Sequence, residues 1–373
     1  MRDPIVQIIP SRGLQPIVTT APALGALAGR LASSARIGLD TEFLRERTYR
    51  AQLCLVQIAS ADEATCIDPL ALVTLEPLAD VLSADGVIKI MHASRQDLEV
   101  LLPVAGLTRP VFDTQIAASL IGLPAQVGYA EAVRRLLGIE LAKSHTRTDW
   151  SRRPLSTEQI EYALDDVRYL LPLAAELQER LERLGRLQWL GEELRALDDA
   201  RALTIDPAEA WQRLKGLRDL DPARLCLARA LAAWRERTAI EHNRPRGWIL
   251  EDAVLREIVI RVPRTLEQLT RLPEMPAGLV KRRGTELLAC VASAEIPDPP
   301  PPLPPRPRPD AAKAALVRKL GAISQSVAEE LRLVPEVLVT RRDLEQLAEG
   351  RRDGPPLRGW RLAVLGQRLL AAL

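Results

Sequence analysis

A mixed α/β domain with helices on the faces of its sheet, followed by two small all-α domains, is the fold class this 373-residue sequence predicts. Three observations carry it. Short β-type runs alternate with helical stretches from residue 36 to about residue 200. Beyond residue 205 helical periodicity alone remains. Residues 297–309 then hold nine prolines in thirteen positions, an extended spacer with a helical piece on either side. The expected divisions are 1–204, 205–292, a linker 293–310, and 311–373.

The elements follow in order. Arg36 to Phe43 (RIGLDTEF) alternates as a strand with Ile37, Leu39, Thr41 and Phe43 on one face. Residues 51–59 (AQLCLVQIA) and 64–68 (ATCID) come after short gaps, which makes an antiparallel meander the economical reading. Helical text at 72–82, a buried strand at 87–91 (VIKIM), a helix at 94–102, and a short strand at 111–113 feeding a helix at 114–121 complete the β-α part. Ser156 with Gln159 reads as a capping box opening a long helix towards Leu184, with a kink or division expected at Pro172. In the tail, Leu316, Leu320, Leu331, Leu344, Leu347 and Leu365 are the expected core.

Composition narrows the chemistry. At 47% apolar and 27% charged residues the chain reads as an ordinary globular protein. It has no apolar run long enough to span a bilayer and no basic start to a leader, so a cytoplasmic protein without a membrane partner is expected. Four scattered cysteines without a C-x-x-C pair exclude a disulfide framework or a thiolate zinc site. With three histidines in all, any metal must be held by carboxylates. Residues 1–200 contain 21 basic and 27 acidic side chains, and the rest contain 30 and 22. An acidic front with a basic rear suits a cation-loaded domain beside a polyanion-binding one, although an arginine-rich composition alone produces much of that bias.

Asp40 and Glu42, at i and i+2 on a strand, leave the same face of the sheet, where two acids repel unless a cation neutralises them. In EYALDD, Tyr162 and Asp166 lie four residues apart on one helical face. Asp97 sits in the first turns of the helix after VIKIMHAS. Each feature alone has a plainer reading: a solvated hairpin edge, a surface tyrosine, an acid favouring a helix N-terminus. Together they place acidic groups on a strand, a strand-helix junction and a helix.

In that combination the sequence resembles the DEDD-type 3′–5′ exonucleases of the tyrosine branch, most closely the ribonuclease D family. The residues concerned are LDTEF with RTYRAQLCLVQI, KIMHASRQDLEVL and YALDDVRYLLPL, with FDTQIAA (Asp113) and TDWSRRPL (Asp149, Trp150, Pro154) between them. The rear half is similar to an HRDC domain, a small helical nucleic-acid-binding module. Trp234-Arg235, Asn243-Arg244-Pro245, Trp248-Ile249-Leu250 and Lys281-Arg282-Arg283-Gly284 carry that likeness. In the last piece, Val334-Pro335-Glu336 and Gly359-Trp360-Arg361 suggest a second, diverged copy.

The resemblance implies a ribonuclease H-like sheet and a hydrolase working with two divalent cations, Mg²⁺ or Mn²⁺. Asp40 would bridge the ions, Glu42 and Asp166 would complete the coordination of the first ion, and Asp97 would hold the second ion, partly through water. Tyr162 would orient the attacking water or assist its deprotonation. The implied substrate is RNA, with tRNA precursors and single-stranded 3′ ends foremost, and the expected state is a monomer. Candidate substrate contacts are His92, Phe43, Lys281, Arg282 and Arg283, although a core histidine and a solvated loop are the plainer readings of the first and of the basic run. Trp150 is expected to pack, Asp113 to cap a helix and Asp165 to be solvated. The same chemistry on DNA, or an inactive RNA-binding protein on this fold, remain the alternatives.

Overall fold

The computed structural model describes residues 17–141, 148–217, 220–294, 296–297 and 310–373. The proline-rich spacer expected at 297–309 lies almost wholly outside them. The chain divides into two compact units, one comprising residues 1–44, 53–203 and 310–373, the other residues 45–52 and 204–309.

In the first unit, helix α1 (Ala21–Leu31) precedes β1 (Arg36–Leu44), β2 (Gln52–Ala59) and β3 (Ala64–Ile67). Next come α2 (Glu76–Ser83), β4 (Ile88–Met91), α3 (Arg95–Ala105), β5 (Val111–Asp113), α4 (Thr114–Leu120) and α5 (Tyr129–Leu137). The five-stranded sheet has the order β3-β2-β1-β4-β5, with β2 antiparallel to β3 and β4 parallel to both β1 and β5. Register pairs Gly38 with Ile90 and Met91 with Asp113. This is the mixed sheet with flanking helices that the alternating text implied. Lys89, buried at its centre, is a departure from the apolar pattern. Its ammonium donates to the carbonyls of Val87 (2.6 Å), Ala84 (3.1 Å) and Arg109, which offsets the cost of burial.

The long helix expected from Ser156 is two helices, α6 (Thr157–Arg168) and α7 (Leu170–Arg183), and the Ser156–Gln159 capping box is present. The division falls at Tyr169, whose φ/ψ of −105/2 ends α6 and whose N–H donates to the Tyr129 hydroxyl at 3.2 Å. Pro172 sits in the first turn of α7, where its missing N–H has no helical partner to lose. The break therefore comes three residues before the proline rather than at it. Gly38 sets how near these helices approach the sheet. A Cβ there would stand 3.1 Å from the Val167 carbonyl and 3.3 Å from the Leu170 Cβ, so β1 and the α6–α7 junction lie almost backbone to backbone.

After α8 (Leu187–Leu194) and α9 (Ala200–Leu203) the chain enters the second unit, with α10 (Pro222–Glu241), α11 (Arg246–Ile249), α12 (Asp252–Arg261), α13 (Leu266–Thr270) and α14 (Ala277–Ser293). Leu227, Leu231, Trp234, Leu255, Ile258 and Leu287 form its core. Arg235 is almost fully buried there, donating to the Leu250 carbonyl at 2.9 Å and to Asp252 at 2.6 Å.

The chain then returns to the first unit through α15 (Ala311–Leu331), α16 (Pro335–Leu338), α17 (Arg341–Ala348) and helical turns ending at Ala371. Leu320, Leu344, Leu347 and Leu365 share one core with Ala117, Leu120, Val133, Leu173 and Leu177 of α4, α5 and α7, and Leu316 and Leu331 pack against it. The Trp360 ring stacks on Trp189 of α8, 4.4 Å between centroids and 9° from parallel. Packing joins the last helical piece to the sheet-bearing unit, across the whole of the second unit in chain order.

Candidate active site

Asp40 and Glu42 project from β1, Asp97 from the first turn of α3, and Tyr162 and Asp166 from α6. The close approach at Gly38 brings α6 onto β1. A more local device places α3. The Asp113 carboxylate accepts from the Ser94 amide and hydroxyl (both 2.8 Å) and the Ala93 amide (3.2 Å), and caps α4 by accepting from Gln115 (2.8 Å) and Ile116 (3.2 Å). It thus clamps the β4–α3 turn, where Ala93 has φ of +55°, to the start of α4, and so fixes the turn that presents Asp97. The Asp97 carboxylate also accepts a 2.5 Å bond from the Thr41 hydroxyl, a link between α3 and β1 that the sequence pattern did not reveal. Thr41 read simply as part of the apolar face.

Electrostatics define these carboxyls as a set. Burial pushes the Asp40 carboxyl well above the ordinary range, and the charges of Asp97, Asp166 and Glu42 push it further. Glu42 is raised to about 8 by burial, then by Asp166 and Asp97. Asp97 rises to about 6, chiefly through burial, against the hydrogen bond from Thr41. Asp166 rises to about 7 through burial and the neighbouring Asp165, against a hydrogen bond from the Tyr162 hydroxyl. The Tyr162 phenol is itself driven upward by burial and by Asp166, Glu42 and Asp40, so it keeps its proton at neutral pH. Burial is the largest influence on each of the four acids, and the charges of neighbouring acids add to it.

No three carboxyl, imidazole or thiol groups among the described residues stand closed around one point. The four acids form an open set of hard oxygen donors under mutual repulsion. That donor chemistry fits Mg²⁺ or Mn²⁺, whose binding would relieve the repulsion, and it does not fit a soft metal.

One wall of the site is a tryptophan held from behind. The Trp150 ring, 4% exposed, lies 6.2 Å from the Tyr162 ring and 28° from parallel to it. Trp150 packs as expected, and its neighbour Arg153 locks it in place. All five N–H groups of that guanidinium are used: two on Asp68 (2.6 and 2.7 Å), and one each on the carbonyls of Cys54 (2.7 Å), Trp150 (2.7 Å) and Arg152 (2.8 Å). Nothing in the local text marked Arg153, because its partners lie up to 99 residues away.

The other singled-out residues are placed as follows. His92 spends both ring nitrogens inside the protein, Nδ1 at 2.8 Å from the Thr114 hydroxyl and Nε2 donating to the Val127 carbonyl at 2.9 Å, and burial lowers its pKa. Phe43 is half-buried near the end of β1. Lys281, Arg282 and Arg283 lie in the middle of α14, in the second unit, so the basic run is helical where a loop was the plainer expectation. Successive helical residues diverge by about 100°, and Arg283 is engaged by Glu286 (2.9 Å) and His242 (2.9 Å). Asp165, expected to be solvated, pairs with Arg168 at 2.7 Å with its side chain 30% exposed.

Comparison with known proteins agrees with this arrangement. The family described as 3′-5′ exonuclease matches residues 15–182, and the HRDC domain family matches residues 224–291. Ribonuclease D of Nitrobacter hamburgensis is 38% identical over 360 residues, covering 95% of this chain and 94% of the relative. That of Granulibacter bethesdensis is 40% identical over 362 residues, covering 95% and 91%. Among solved structures, Escherichia coli RNase D, described as an exoribonuclease involved in structured RNA processing, superposes with a TM-score of 0.85 at 31% identity, covering 97% of this chain and 98% of that one. On the likeness of sequence and fold over nearly its whole length, the chain belongs to the ribonuclease D family.

Proposed function

We propose that this protein is a 3′–5′ exoribonuclease that releases nucleoside 5′-monophosphates from the ends of structured RNAs, tRNA precursors among them, and that it acts as a cytoplasmic monomer. The observation that carries the reading is the set of four acids from three elements, their pKa values raised by burial and by the charges of neighbouring acids. Asp40, Glu42, Asp97 and Asp166 would hold two divalent ions. Such ions supply activation of a water and neutralisation of the leaving 3′ oxygen in an in-line displacement at phosphorus.

The chain's own groups do the rest. Tyr162, kept as a phenol by its surroundings, donates to Asp166 and retains lone pairs that can accept from the attacking water. In that state it would orient the attacking water rather than take its proton. Trp150 covers one side of that ring and excludes bulk solvent from it. No described helix is long and apolar enough to cross a membrane.

The test is gel analysis of a 5′-labelled RNA with an unpaired 3′ tail, in Mg²⁺, Mn²⁺ or chelator, beside Asp40→Asn and a DNA of the same sequence. A ladder shortening from the 3′ end, absent with chelator and in the variant and much weaker on DNA, is expected. Tight binding without cleavage in either metal would overturn the enzymatic reading, and equal cleavage of DNA would overturn the substrate class.

A further inference from the structure

The fold covers its tryptophans with one exception. Of six in the chain, Trp150, Trp234 and Trp360 are buried and Trp189 and Trp211 half-buried, while Trp248 on α11 is 59% exposed. The backbone beneath it is held firmly. The Trp248 amide donates to the Pro245 carbonyl (2.8 Å), the Leu250 amide donates to the Arg246 carbonyl (3.0 Å), and Leu250 is anchored in the core of the second unit. The ring thus stands on a pre-ordered turn, and using it as a contact costs little conformational entropy.

Its surroundings are cationic. The Arg244 guanidinium carbon lies 5.8 Å from the ring centroid. Asn243, in the left-handed region at φ +46°, accepts from the Arg50 amide at 3.1 Å through its side chain, which seats residues 45–52 of the same unit beside this turn. The same segment is pinned by the Tyr49 hydroxyl donating to Glu236 at 2.6 Å, and Arg246 acts electrostatically on Tyr49. Arg50, Arg244 and Arg246 are all exposed; of the nearby acids, Asp252 is paired with Arg235 at 2.6 Å and Glu236 accepts from Tyr49, while Glu46, Glu241 and Glu251 share the surface. An exposed indole with the Arg244 guanidinium beside it, on a turn that also carries Arg246 and is bonded to the Arg50 backbone, matches a nucleobase with its flanking phosphates.

We propose that Trp248, with Arg244, Arg246 and Arg50, is a stacking site for an unpaired base of the RNA strand, an assignment that rests on the exoribonuclease reading above. Stacking is tolerant of sequence, so the site would hold single-stranded RNA in general and add affinity without base selection.

The experiment uses the full chain and a fluorescein-labelled 12-nucleotide single-stranded RNA, titrated in chelator so that it is not cleaved, with degradation of the same RNA in Mg²⁺ as a second readout. Trp248→Ala is expected to weaken binding about tenfold, near the lower end of the value of one stacked base, and Trp248→Phe to restore most of it. Arg244→Gln with Arg246→Gln should lower the salt slope of binding by about 0.7 per charge. Parental binding by Trp248→Ala, in a protein that still degrades RNA, overturns the stacking site and leaves the enzymatic reading standing. So does a loss confined to self-association or protein binding. A parent that neither binds nor degrades RNA overturns both.

Discussion

Arg153 offers the sharpest test of how the site is held. Its guanidinium ties the Asp68 carboxylate, the Cys54 carbonyl on β2 and the Trp150 carbonyl into one knot. The Asp68 side chain is 6% exposed and that of Arg153 27%. Stripping one partner from a buried pair costs about 3–5 kcal/mol. Here Asp68 keeps the Leu70 amide at 2.9 Å, so the loss from the carboxylate is smaller. The freed carbonyls of Cys54 and Trp150 add about 1 kcal/mol each where solvent does not replace the donor. Arg153→Met should therefore destabilise the sheet-bearing unit by about 3 kcal/mol. Asp68→Asn preserves an acceptor for the turn amides and should cost less, and the double variant should fall short of the sum by about 2 kcal/mol.

The assay is calorimetric or urea unfolding of the three variants, with the transition of the sheet-bearing unit followed. Turnover is read beside it at a temperature where each is folded. Because Arg153 anchors the residue that covers Tyr162, kcat should drop about tenfold, or about 1.4 kcal/mol, with KM for RNA little changed. Strict additivity in the cycle would refute the pairing. A loss of stability with unchanged kcat would refute the positioning of Tyr162 through Trp150.

The remaining predictions concern charge and packing. A carboxyl whose folded pKa is raised binds its proton more tightly when folded; the stability it lends is present below the unfolded value near 4 and is lost as pH rises through the folded one. With Asp97 at about 6, Asp166 at about 7 and Glu42 at about 8, the melting temperature in chelator should fall between about pH 4 and 8. Saturating Mg²⁺ should largely remove that fall, and a flat profile in chelator would contradict the mutual repulsion. Trp360→Ala removes a 5%-exposed ring that stacks on Trp189 and donates to Glu193 at 2.8 Å, at a cost of about 3–5 kcal/mol. The sheet-bearing unit should melt earlier as a whole, whereas an unchanged main transition would mean that residues 310–373 fold apart from it.

What was legible in the sequence was whatever repeats at short range. Alternation marked β1, short β-type runs after brief gaps marked β2 and β3, the Ser156–Gln159 box marked the start of α6, and the i, i+4 spacing set Tyr162 beside Asp166. What was hidden depends on distance or on a cost paid elsewhere. The division between α6 and α7 was misjudged because Pro172 is harmless in a first turn, while Tyr129, forty residues before Tyr169, supplies the acceptor that lets the chain break there. Lys89 spoils an apolar strand pattern until its three carbonyl partners are known.

The same distinction separates the acids from their supports. Asp40, Glu42, Asp97 and Asp166 are identifiable as residue types because oxygen chemistry leaves few substitutes. Thr41, Asp113 and Arg153 are ordinary residues whose function arises from three-dimensional neighbours: a hydroxyl on Asp97, a clamp on the turn before α3, a knot behind Trp150. Gly38 belongs with them, since its lack of a side chain is what lets α6 bring Tyr162 and Asp166 down onto β1. A side chain at that position would press on the Val167 carbonyl, Leu170 and Leu171 at 3.1–3.3 Å, next to the turn that carries Asp166, while leaving every acid in the sequence intact. A site of this kind is thus vulnerable at positions that carry none of its chemistry, and its precision resides in the backbone contacts beneath β1 as much as in the carboxyls above it.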